Sequence, residues 1–423
     1  MIEDTELDIQ LIGGADPTVV DVEVAPAARS DPIIWTDGED DRYSRFRLIP
    51  WWDQELLRDT RMLVVGAGAL GNEIVKNLAL LGVGKIFLID LDRIENSNLS
   101  RSVLYRASDE GKYKAEVAAE SARDINPDVQ VRPFVGNVVH DLGLGVFRAV
   151  DVVICGLDNR EARLWVNQCC WRVNRPWIDG AIEVLNGVVR VFVPPDSACY
   201  ECTMNDIDYQ MLNRRKSCAL LSRDQMLEGK VPTTPTTSAV IAGIQCQEAI
   251  KLVHKRPDLP VLVGKGYFFN GLTHDSFVVN YRRKDDCLSH ETFEEIVETD
   301  WRSDSVTLGQ VLDHVKRELG QNAVLEFTRE IVCELRCEAC GESESVFKLL
   351  GKVTENEARC PKCGEVRAYD SCHNVIGNET YLNMTLADVG IPPFDIISGR
   401  VGMRQRFYEL SGDRDEILGP LAT

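Results

Sequence analysis

Three glycines and an aspartate form the part of the sequence whose spacing is most typical of a chemical site. The run Met62 to Val65 is apolar and leads through GAGALG into a segment with helical periodicity. In such a turn Gly66 permits tight bending, Gly68 permits close approach of a phosphate, and Gly71 permits packing of helix on strand. The helix N-terminus then faces the anion. Asp90 follows the next strand, where its carboxylate can accept hydrogen bonds from ribose hydroxyls. The spacing predicts a nucleotide site.

The residues after Asp90 suit a triphosphate better than a dinucleotide. A dinucleotide enzyme usually returns to helical periodicity at this point, whereas this chain continues with the polar loop DRIENSNLSR. That loop supplies Asn98 and Arg101, and Lys114 follows it. The plain alternative for Arg101 and Lys114 is that they are solvated surface charges.

A further carboxylate is expected at the same edge of the sheet. The apolar strand Val152 to Cys155 ends in GLDN and places Asp158 at a strand's carboxyl end. Open α/β sheets bind their ligands there, and a carboxylate in that position can hold Mg²⁺. The alternative is that Asp158 caps the helix starting at Asn159.

Five motifs in a fixed order resemble those of the ThiF/MoeB/ubiquitin-activating superfamily. They are GAGALG, the D-x-D of Asp90 and Asp92, SNLSR at Ser97 to Arg101, GKYK ending at Lys114, and GLDNREAR at Gly156 to Arg163. The resemblance also includes RYSR at Arg42 to Arg45 and CYEC at Cys199 to Cys202, so it covers roughly residues 41 to 290. It implies a Rossmann-like, doubly wound, mostly parallel α/β sheet, the ThiF-type adenylation domain.

The reaction implied by this resemblance is ATP-dependent adenylation of the C-terminal carboxylate of a ubiquitin-like or sulfur-carrier protein that ends in glycine. The resemblance places Asn98, Arg101 and Lys114 on the triphosphate and Asp158 on Mg²⁺. In family members the RYxR arginine, here Arg45, reaches across a dimer to the γ-phosphate, which implies a homodimer. An ordinary surface ion pair is the alternative for Arg45.

Two other classes of function compete with adenylation. A Rossmann oxidoreductase would bind a nicotinamide cofactor and would have no need of Asp158. A catalytically silent scaffold would use its nucleotide site only for stability, and the presence of Arg101, Lys114 and Asp158 argues against it.

Two sets of metal ligands are predicted, each for a structural zinc ion. The first pairs Cys199 and Cys202 with Cys287 and His290, about eighty-five residues later. Four such ligands make a closed tetrahedral zinc site. The family usually has a second CxxC at the later position, so His290 departs from its pattern.

The second set lies beyond the resemblance and has the spacing of a zinc ribbon. Nineteen residues separate its two CxxC pairs, and two flanking cysteines are alternative ligands. The predicted ligands are Cys337, Cys340, Cys360 and Cys363, and the alternatives are Cys333 and Cys372. The ribbon contains many glutamates and no basic and aromatic stripe, so we expect it to dock a protein.

Cys218 is the candidate nucleophile, and the alternative is that it is a loop cysteine with no catalytic role. It lies between the first zinc pair and the helix predicted at Ser238 to Val253, the place where ubiquitin-activating members carry their thioester-forming cysteine. The basic run Arg214 to Lys216 would lower its thiol pKa and favour the thiolate. Transfer to a conjugating enzyme would follow. Adenylation for sulfur transfer without conjugation is the alternative, as in molybdopterin or thiamine synthesis. Cys246, inside a helical pattern, is expected in the core.

Composition limits the remaining possibilities. The chain has 423 residues, 44% apolar residues and a formal charge of −20, which disfavours binding to nucleic acid or to an anionic membrane. Its N-terminus lacks a signal-peptide pattern, so a cytoplasmic protein with reduced cysteines is expected.

The chain is expected to divide into three parts. Residues 1–40 form an appendage with an acidic linker, 41–290 form the adenylation domain with a crossover loop around 203–237, and 291–423 form an accessory α+β region with the zinc ribbon at 333–372. In the last part, helices are predicted at Glu291 to Glu298 and Leu308 to Leu319, and a strand at the apolar FDII.

Overall fold

Two sheets account for the strands of the chain that can be described. The computed structural model describes residues 9–10 (backbone only), 41–210 and 232–423. The strands of the first sheet are β1 (Ile9–Gln10), β2 (Arg61–Val65), β3 (Lys85–Asp90), β4 (Gln130–Val135), β5 (Val152–Cys155), β6 (Trp177–Glu183), β7 (Asn186–Phe192), β8 (Lys265–Asn270) and β9 (Asp275–Asn280). Its helices are α1 (Gln54–Asp59), α2 (Ala69–Leu81), α3 (Lys114–Ile125), α4 (Leu144–Ala149), α5 (Arg160–Arg172) and α6 (Pro235–His254).

The first sheet is a doubly wound mixed sheet, which confirms the predicted fold class. Its strand order is β1-β9-β8-β7-β6-β5-β2-β3-β4. Five neighbouring strands run parallel, namely β6, β5, β2, β3 and β4. The remaining neighbours, β6 with β7, β7 with β8, β8 with β9 and β9 with β1, pair in antiparallel fashion. Val65 pairs with both Ile89 and Cys155, so the carboxyl ends of three parallel strands meet at one edge.

Helices cover both faces of this sheet because its parallel strands are apolar on both sides. Helices α2, α3 and α6 pack on one face around Ile74, Leu78 and Ile241. Helices α4 and α5 pack on the other face around Phe147 and Trp171. The structure therefore leaves the carboxyl edge of the strands, rather than either face, for a ligand.

The second sheet belongs to the C-terminal part. Its elements are β10 (Ile296–Thr299), α7 (Leu308–Leu319), β11 (Val324–Arg336), β12 (Ser343–Leu349), α8 (Glu355–Ala358), β13 (Ala368–Val375), β14 (Ile396–Val401), β15 (Arg404–Leu410) and α9 (Arg414–Leu418). The order is β10-β15-β14-β11-β12, and β13 also pairs with β11. The predicted helix at Leu308–Leu319 is present, and the apolar FDII leads into β14.

The helix predicted at Glu291 to Glu298 is wrong. The chain has no regular structure at residues 291–294, and β10 then pairs in parallel with β15, with Ile296 opposite Phe407. The β-branched pair Ile296 and Val297 packs against the cores on the two sides of this strand. Tertiary pairing thus outweighs the helical preference of the surrounding glutamates.

The two sheets share a buried junction. Phe293 stacks on Phe407 with ring centroids 3.8 Å apart, and both rings belong to the core that lies under helices α4 and α5. Arg329 of β11 forms a buried ion pair with Asp395, whose other oxygen accepts the backbone N–H of Leu144 at 2.7 Å. The C-terminal part is therefore anchored on the first sheet through paired charges and apolar packing.

None of the helices in the described ranges is both long enough and apolar enough to cross a bilayer. Cys218, most of residues 1–40 and the middle of the predicted crossover loop lie outside the described residues.

Candidate nucleotide site and metal centres

The glycine turn after β2 depends on close contact between backbone segments. Gly66 has a φ of +94° and donates its N–H to the carbonyl of Ile89 at 2.8 Å. A Cβ on Gly71 would lie 1.9 Å from the carbonyl oxygen of Gly66, so no larger residue fits there. Gly68 caps the N-terminus of α2, and a Cβ on it would meet nothing within 4 Å. The first and third glycines are thus required by the fold, and Gly68 is not.

A second loop lies directly against this turn. The N–H of Gly156 donates to the carbonyl of Val65 at 2.9 Å. A Cβ on Gly66 would lie 2.8 Å from the carbonyl oxygen of Gly156, and a Cβ on Gly156 would lie 2.9 Å from the nitrogen of Gly71. The loop that carries Asp158 is therefore held beside the N-terminus of α2.

Two buried side chains that the sequence analysis missed hold the carbonyl group inside the turn. Asn72 and Tyr105 both donate to the carbonyl oxygen of Ala67, at 2.7 and 2.6 Å. The side-chain oxygen of Asn72 in turn accepts the N–H of Leu104 at 2.9 Å. Burial raises the pKa of Tyr105, so its hydroxyl stays a donor. A polar residue directly after the third glycine was the only sequence signal for Asn72.

Asp90 lies at the end of β3 and contacts the turn. Its two carboxylate oxygens accept the backbone N–H groups of Ala67 at 2.6 Å and of Asp92 at 2.7 Å. Burial raises the pKa of Asp90, and the positive charge of Lys114 opposes that shift. Each carboxylate oxygen can accept more than one hydrogen bond, so the group can still bind ribose hydroxyls.

Lys114 lies at the start of α3, close to the same carboxylates. Its ammonium group pairs with Asp92 at 2.9 Å and its side chain is only 12% exposed. Its backbone N–H donates to the carbonyl of Asp92, also at 2.9 Å. A lysine held in this way is not an ordinary solvated charge, because its position is fixed from both backbone and side chain.

Asn98 and Arg101 lie in the polar loop after β3. The side-chain oxygen of Asn98 accepts the N–H of Glu95 at 2.9 Å, a bond that does not use its amide nitrogen. The guanidinium of Arg101 donates to the carbonyl of Ser97 at 2.8 Å. Both side chains thus bind within their own loop.

Asp158 does not cap helix α5. Asn159 is the cap, and its side-chain oxygen accepts the N–H of Ala162 at 2.8 Å. The carboxylate of Asp158 is exposed and lies 3.4 Å from the amide nitrogen of Asn159. A carboxylate that is open to water fits Mg²⁺, which one or two carboxylates and the phosphates of a substrate usually hold.

A buried cluster of charged side chains contacts the loop that carries Asp158, and the sequence alone did not predict it. The guanidinium of Arg163 donates to the carbonyl of Leu157 and pairs with Asp179 at 2.9 Å. Asp179 is fully buried and also pairs with Arg190 at 3.1 Å. Breaking a buried pair by removing one partner is costly, so this cluster fixes the residue before Asp158. Arg163 lies within one of the five motifs, which by itself indicates no role for it, and Asp179 has no local signal in the sequence.

Arg45 is not brought to this site within one chain. Tyr43 packs against Gly82, the C-cap of α2, and its hydroxyl accepts a hydrogen bond from Asn126 at 2.7 Å. Helix α2 has 13 residues and is about 20 Å long, so Arg45 lies near the end opposite the glycine turn. The ion pair of this segment joins Arg47, rather than Arg45, to Asp41.

The first predicted zinc set is assembled against the core that lies under helices α4 and α5. Cys199 lies 3.6 Å from Cys202 and 3.5 Å from Cys287, measured between sulfurs, and Cys202 lies 3.4 Å from Nε2 of His290. Zinc bonds of about 2.3 Å to sulfur place tetrahedral ligand atoms about 3.7 Å apart, so the four atoms fit one ion. The imidazole of His290 stacks on Trp171.

The second predicted set is also assembled, as two matching turns. Its sulfur atoms lie 3.4 Å apart between Cys337 and Cys363, and 3.6 Å apart between Cys340 and Cys360. Each turn closes with a glycine at positive φ. The backbone carbonyl of the first cysteine in each turn accepts that glycine's N–H, at 2.8 and 2.9 Å. Among the described residues, these two quartets are the groups whose ligand atoms suit a metal.

Cys333 and Cys372 are not alternative ligands of the ribbon. Both lie outside the ribbon quartet, and their sulfurs contact each other instead. Cys246 is buried in α6, which confirms its assignment to the core.

The chain belongs to the ThiF family, whose sequence profile matches residues 41–289. The NEDD8-activating enzyme E1 catalytic subunit of Caenorhabditis elegans is 39% identical over 183 residues, which cover 39% of this chain and 42% of that protein. The sulfur carrier protein adenylyltransferase of Thermus thermophilus is 36% identical over 176 residues, which cover 40% of this chain and 65% of that protein. The chain thus spans less than two thirds of the length of each of these two relatives.

Two other proteins are similar to this chain over a larger share of their own length. The SAMP-activating enzyme E1 of Haloferax volcanii is 33% identical over 260 residues, or 58% of this chain and 87% of that protein. Among solved structures, Escherichia coli MccB with ATP has a TM-score of 0.50 and 26% identity, over 60% of this chain and 75% of that one.

We expect two zinc ions per purified chain, measured by inductively coupled plasma mass spectrometry. Cys363→Ser removes an exposed ribbon ligand and should lower the content by about one, since three ligands hold zinc more weakly. Cys333→Ser is the matched control and should retain two ions. A control variant that loses zinc would contradict the assignment of the ribbon quartet.

Proposed function

We propose that this protein uses ATP to adenylate the C-terminal carboxylate of a ubiquitin-like or sulfur-carrier protein. The observation that carries the proposal is the assembly, in a ThiF-family chain, of the glycine turn, Asp90, Lys114 and the Asp158 loop at one edge of the sheet. The names of the similar proteins, which include E1 enzymes and a sulfur carrier adenylyltransferase, support the choice of substrate.

In the proposed reaction a carboxylate oxygen of the carrier attacks the α-phosphate of ATP. The bond from that phosphorus to the bridging oxygen breaks, and pyrophosphate leaves with the electron pair. The product is a carrier-adenylate, an acyl group activated for attack by a sulfur nucleophile. Charge neutralisation and positioning carry most catalysis of this kind.

The chain's own side chains have distinct parts in this step. Asp90 holds the ribose, and the N-terminus of α2 faces the phosphates. Lys114 and Arg101 neutralise phosphate charge, and Asn98 binds the triphosphate through its amide nitrogen. Mg²⁺, when bound, would offset negative charge on the phosphates, and Asp158 is the residue that would hold it.

For Lys114 and Arg101 to reach phosphate, present contacts must be exchanged. Lys114 now pairs with Asp92, whose side chain is 56% exposed. Water can solvate the exposed carboxylate of Asp92 when the pair opens. The ammonium of Lys114, whose backbone N–H stays bonded at the start of α3, can then turn to a triphosphate. For the guanidinium of Arg101, the one partner described is the carbonyl of Ser97 in the same loop.

Arg45 acts in this proposal on the nucleotide of a partner subunit. Its place near the far end of α2 keeps it from the glycine turn of its own chain. A homodimer that brings two such sites together would let each Arg45 reach the γ-phosphate of the other. The zinc ions have no part in the chemistry because each quartet is closed.

The second step of the proposal is attack of Cys218 on the adenylate, which forms a thioester and releases AMP. The basic run Arg214 to Lys216 favours the thiolate. A conjugating enzyme would then take the carrier, and the C-terminal part would help to recruit it. Sulfur transfer without conjugation is the second candidate, favoured by the likeness to the Thermus adenylyltransferase.

Asp158→Asn should lower carrier-dependent ATP–pyrophosphate exchange by about 100-fold or more, because it removes the negative charge that holds Mg²⁺ without changing the size of the side chain. Exchange is measured with radiolabelled pyrophosphate and a panel of ubiquitin-like and sulfur-carrier proteins ending in glycine. Glu161→Gln is the matched control: an exposed acid three residues away, expected to keep near-normal exchange. Exchange with no carrier of the panel, together with nicotinamide binding, would favour the oxidoreductase class.

Cys218→Ala should leave this exchange largely intact, because attack on the α-phosphate requires no thiol. It should abolish the thiol-sensitive band of enzyme plus carrier on a non-reducing gel. Ser217→Ala is the neighbouring control and should retain the band. An adduct that persists in Cys218→Ala would show that another cysteine accepts the carrier, and absence of an adduct from the wild type would favour sulfur transfer.

A further inference from the structure

A pair of cysteines lies on the two strands that form the stem of the ribbon. Strands β11 and β13 are antiparallel, with Val332 opposite Ser371 and Glu334 opposite Asp370. Two residues of β11 thus advance against one of β13, which makes Cys333 the extra residue of a β-bulge. The bulge turns its side chain towards Cys372 on the neighbouring strand.

The two sulfurs approach more closely than the metal-ligand sulfurs do. Sγ of Cys333 lies 2.8 Å from Sγ of Cys372, whereas sulfurs within the ribbon quartet lie 3.4 to 3.8 Å apart. Both cysteines are only partly buried, so a small molecule can reach them. The hydroxyl of Tyr381 lies 3.6 Å from the sulfur of Cys372. The two sulfurs therefore lie within about 1 Å of the distance of a disulfide bond.

We propose that Cys333 and Cys372 form a redox-active dithiol that closes reversibly to a disulfide across the ribbon stem. Strand β11 ends at Arg336, directly before the first ribbon ligand, and β13 begins at Ala368, after the last. The bond would therefore enclose all four ribbon ligands in one covalent loop. It would hold the ribbon to the C-terminal sheet even when zinc is absent.

The reaction is thiol–disulfide exchange with a low-molecular-weight disulfide such as oxidised glutathione. Burial raises the pKa of Cys333 to about 12 and so favours its protonated form. The hydroxyl of Tyr381 can donate to a thiolate on Cys372, so we assign the first attack to Cys372. That attack gives a mixed disulfide and releases one glutathione with a proton. Cys333 then attacks the sulfur of Cys372, and the second glutathione leaves. Two protein thiols lose two electrons and two protons, and one disulfide is reduced to two thiols.

The test uses the zinc-loaded full chain in buffers of increasing oxidised glutathione. After remaining thiols are blocked with N-ethylmaleimide, mass spectrometry should show loss of two hydrogens and a Cys333–Cys372 cross-linked peptide. Dithiothreitol should reverse it, and zinc content should stay unchanged. The proposal is overturned if this cross-link does not form at a large excess of oxidant, or if it forms only after zinc is lost.

Single variants test the order of attack. Cys333→Ser should accumulate one glutathione on Cys372, because the resolving thiol is gone, whereas Cys372→Ser should react at least about tenfold more slowly. Ser371→Ala is a matched control on the same strand and should form the cross-link normally. Equal modification of the two cysteine variants would overturn the assigned roles. These measurements do not depend on the proposed adenylation activity.

Discussion

The contact between two glycine-containing loops is the constraint on which the candidate site depends. Gly66 and Gly71 let the turn after β2 close, and Gly156 lets the loop after β5 lie against that turn with only backbone between them. One loop presents the N-terminus of α2, and the other carries Asp158. An added Cβ at any of the three positions would meet backbone or side-chain atoms at 3.0 Å or less. The spacing between the N-terminus of α2 and the loop that carries Asp158 is thus set by backbone contact, which side-chain motion cannot relax.

Buried polar groups then lock each loop in place. Asn72 and Tyr105 fix the carbonyl of Ala67, and the cluster centred on Asp179 fixes the carbonyl of Leu157. Such groups are costly to bury unless they are paired, and paired they hold one arrangement. The C-terminal part is anchored by the same means, since the Arg329 ion pair joins it to the first sheet. The first predicted zinc quartet lies against the core under helices α4 and α5, and the second joins the two turns of the ribbon.

Local features of the sequence predicted strands β2, β3 and β5, the glycine turn, the members of both metal quartets and the class of fold, because each has a short-range signature of period or spacing. The features that the sequence did not predict depend on contacts between residues on different strands and helices. Asp179 contacts Arg163 only after β6 is placed beside β5, and no residue near it signals that pairing. The segment 291–298 has helical composition, but it becomes a strand beside β15, which lies far away in sequence. The contact between Cys333 and Cys372 depends on a bulge, which the alternation of residues does not reveal.

Gly68 offers the most direct test of the claim that phosphate binds against the glycine turn. A Cβ at this position meets no protein atom within 4 Å, so Gly68→Ala should leave the thermal unfolding midpoint nearly unchanged. The added methyl group would instead occupy space that a phosphate needs. Isothermal titration calorimetry with ATP and Mg²⁺ measures the outcome. We expect at least about a tenfold loss of affinity for ATP at unchanged stability. Unchanged affinity for ATP would show that phosphate does not bind against the glycine turn.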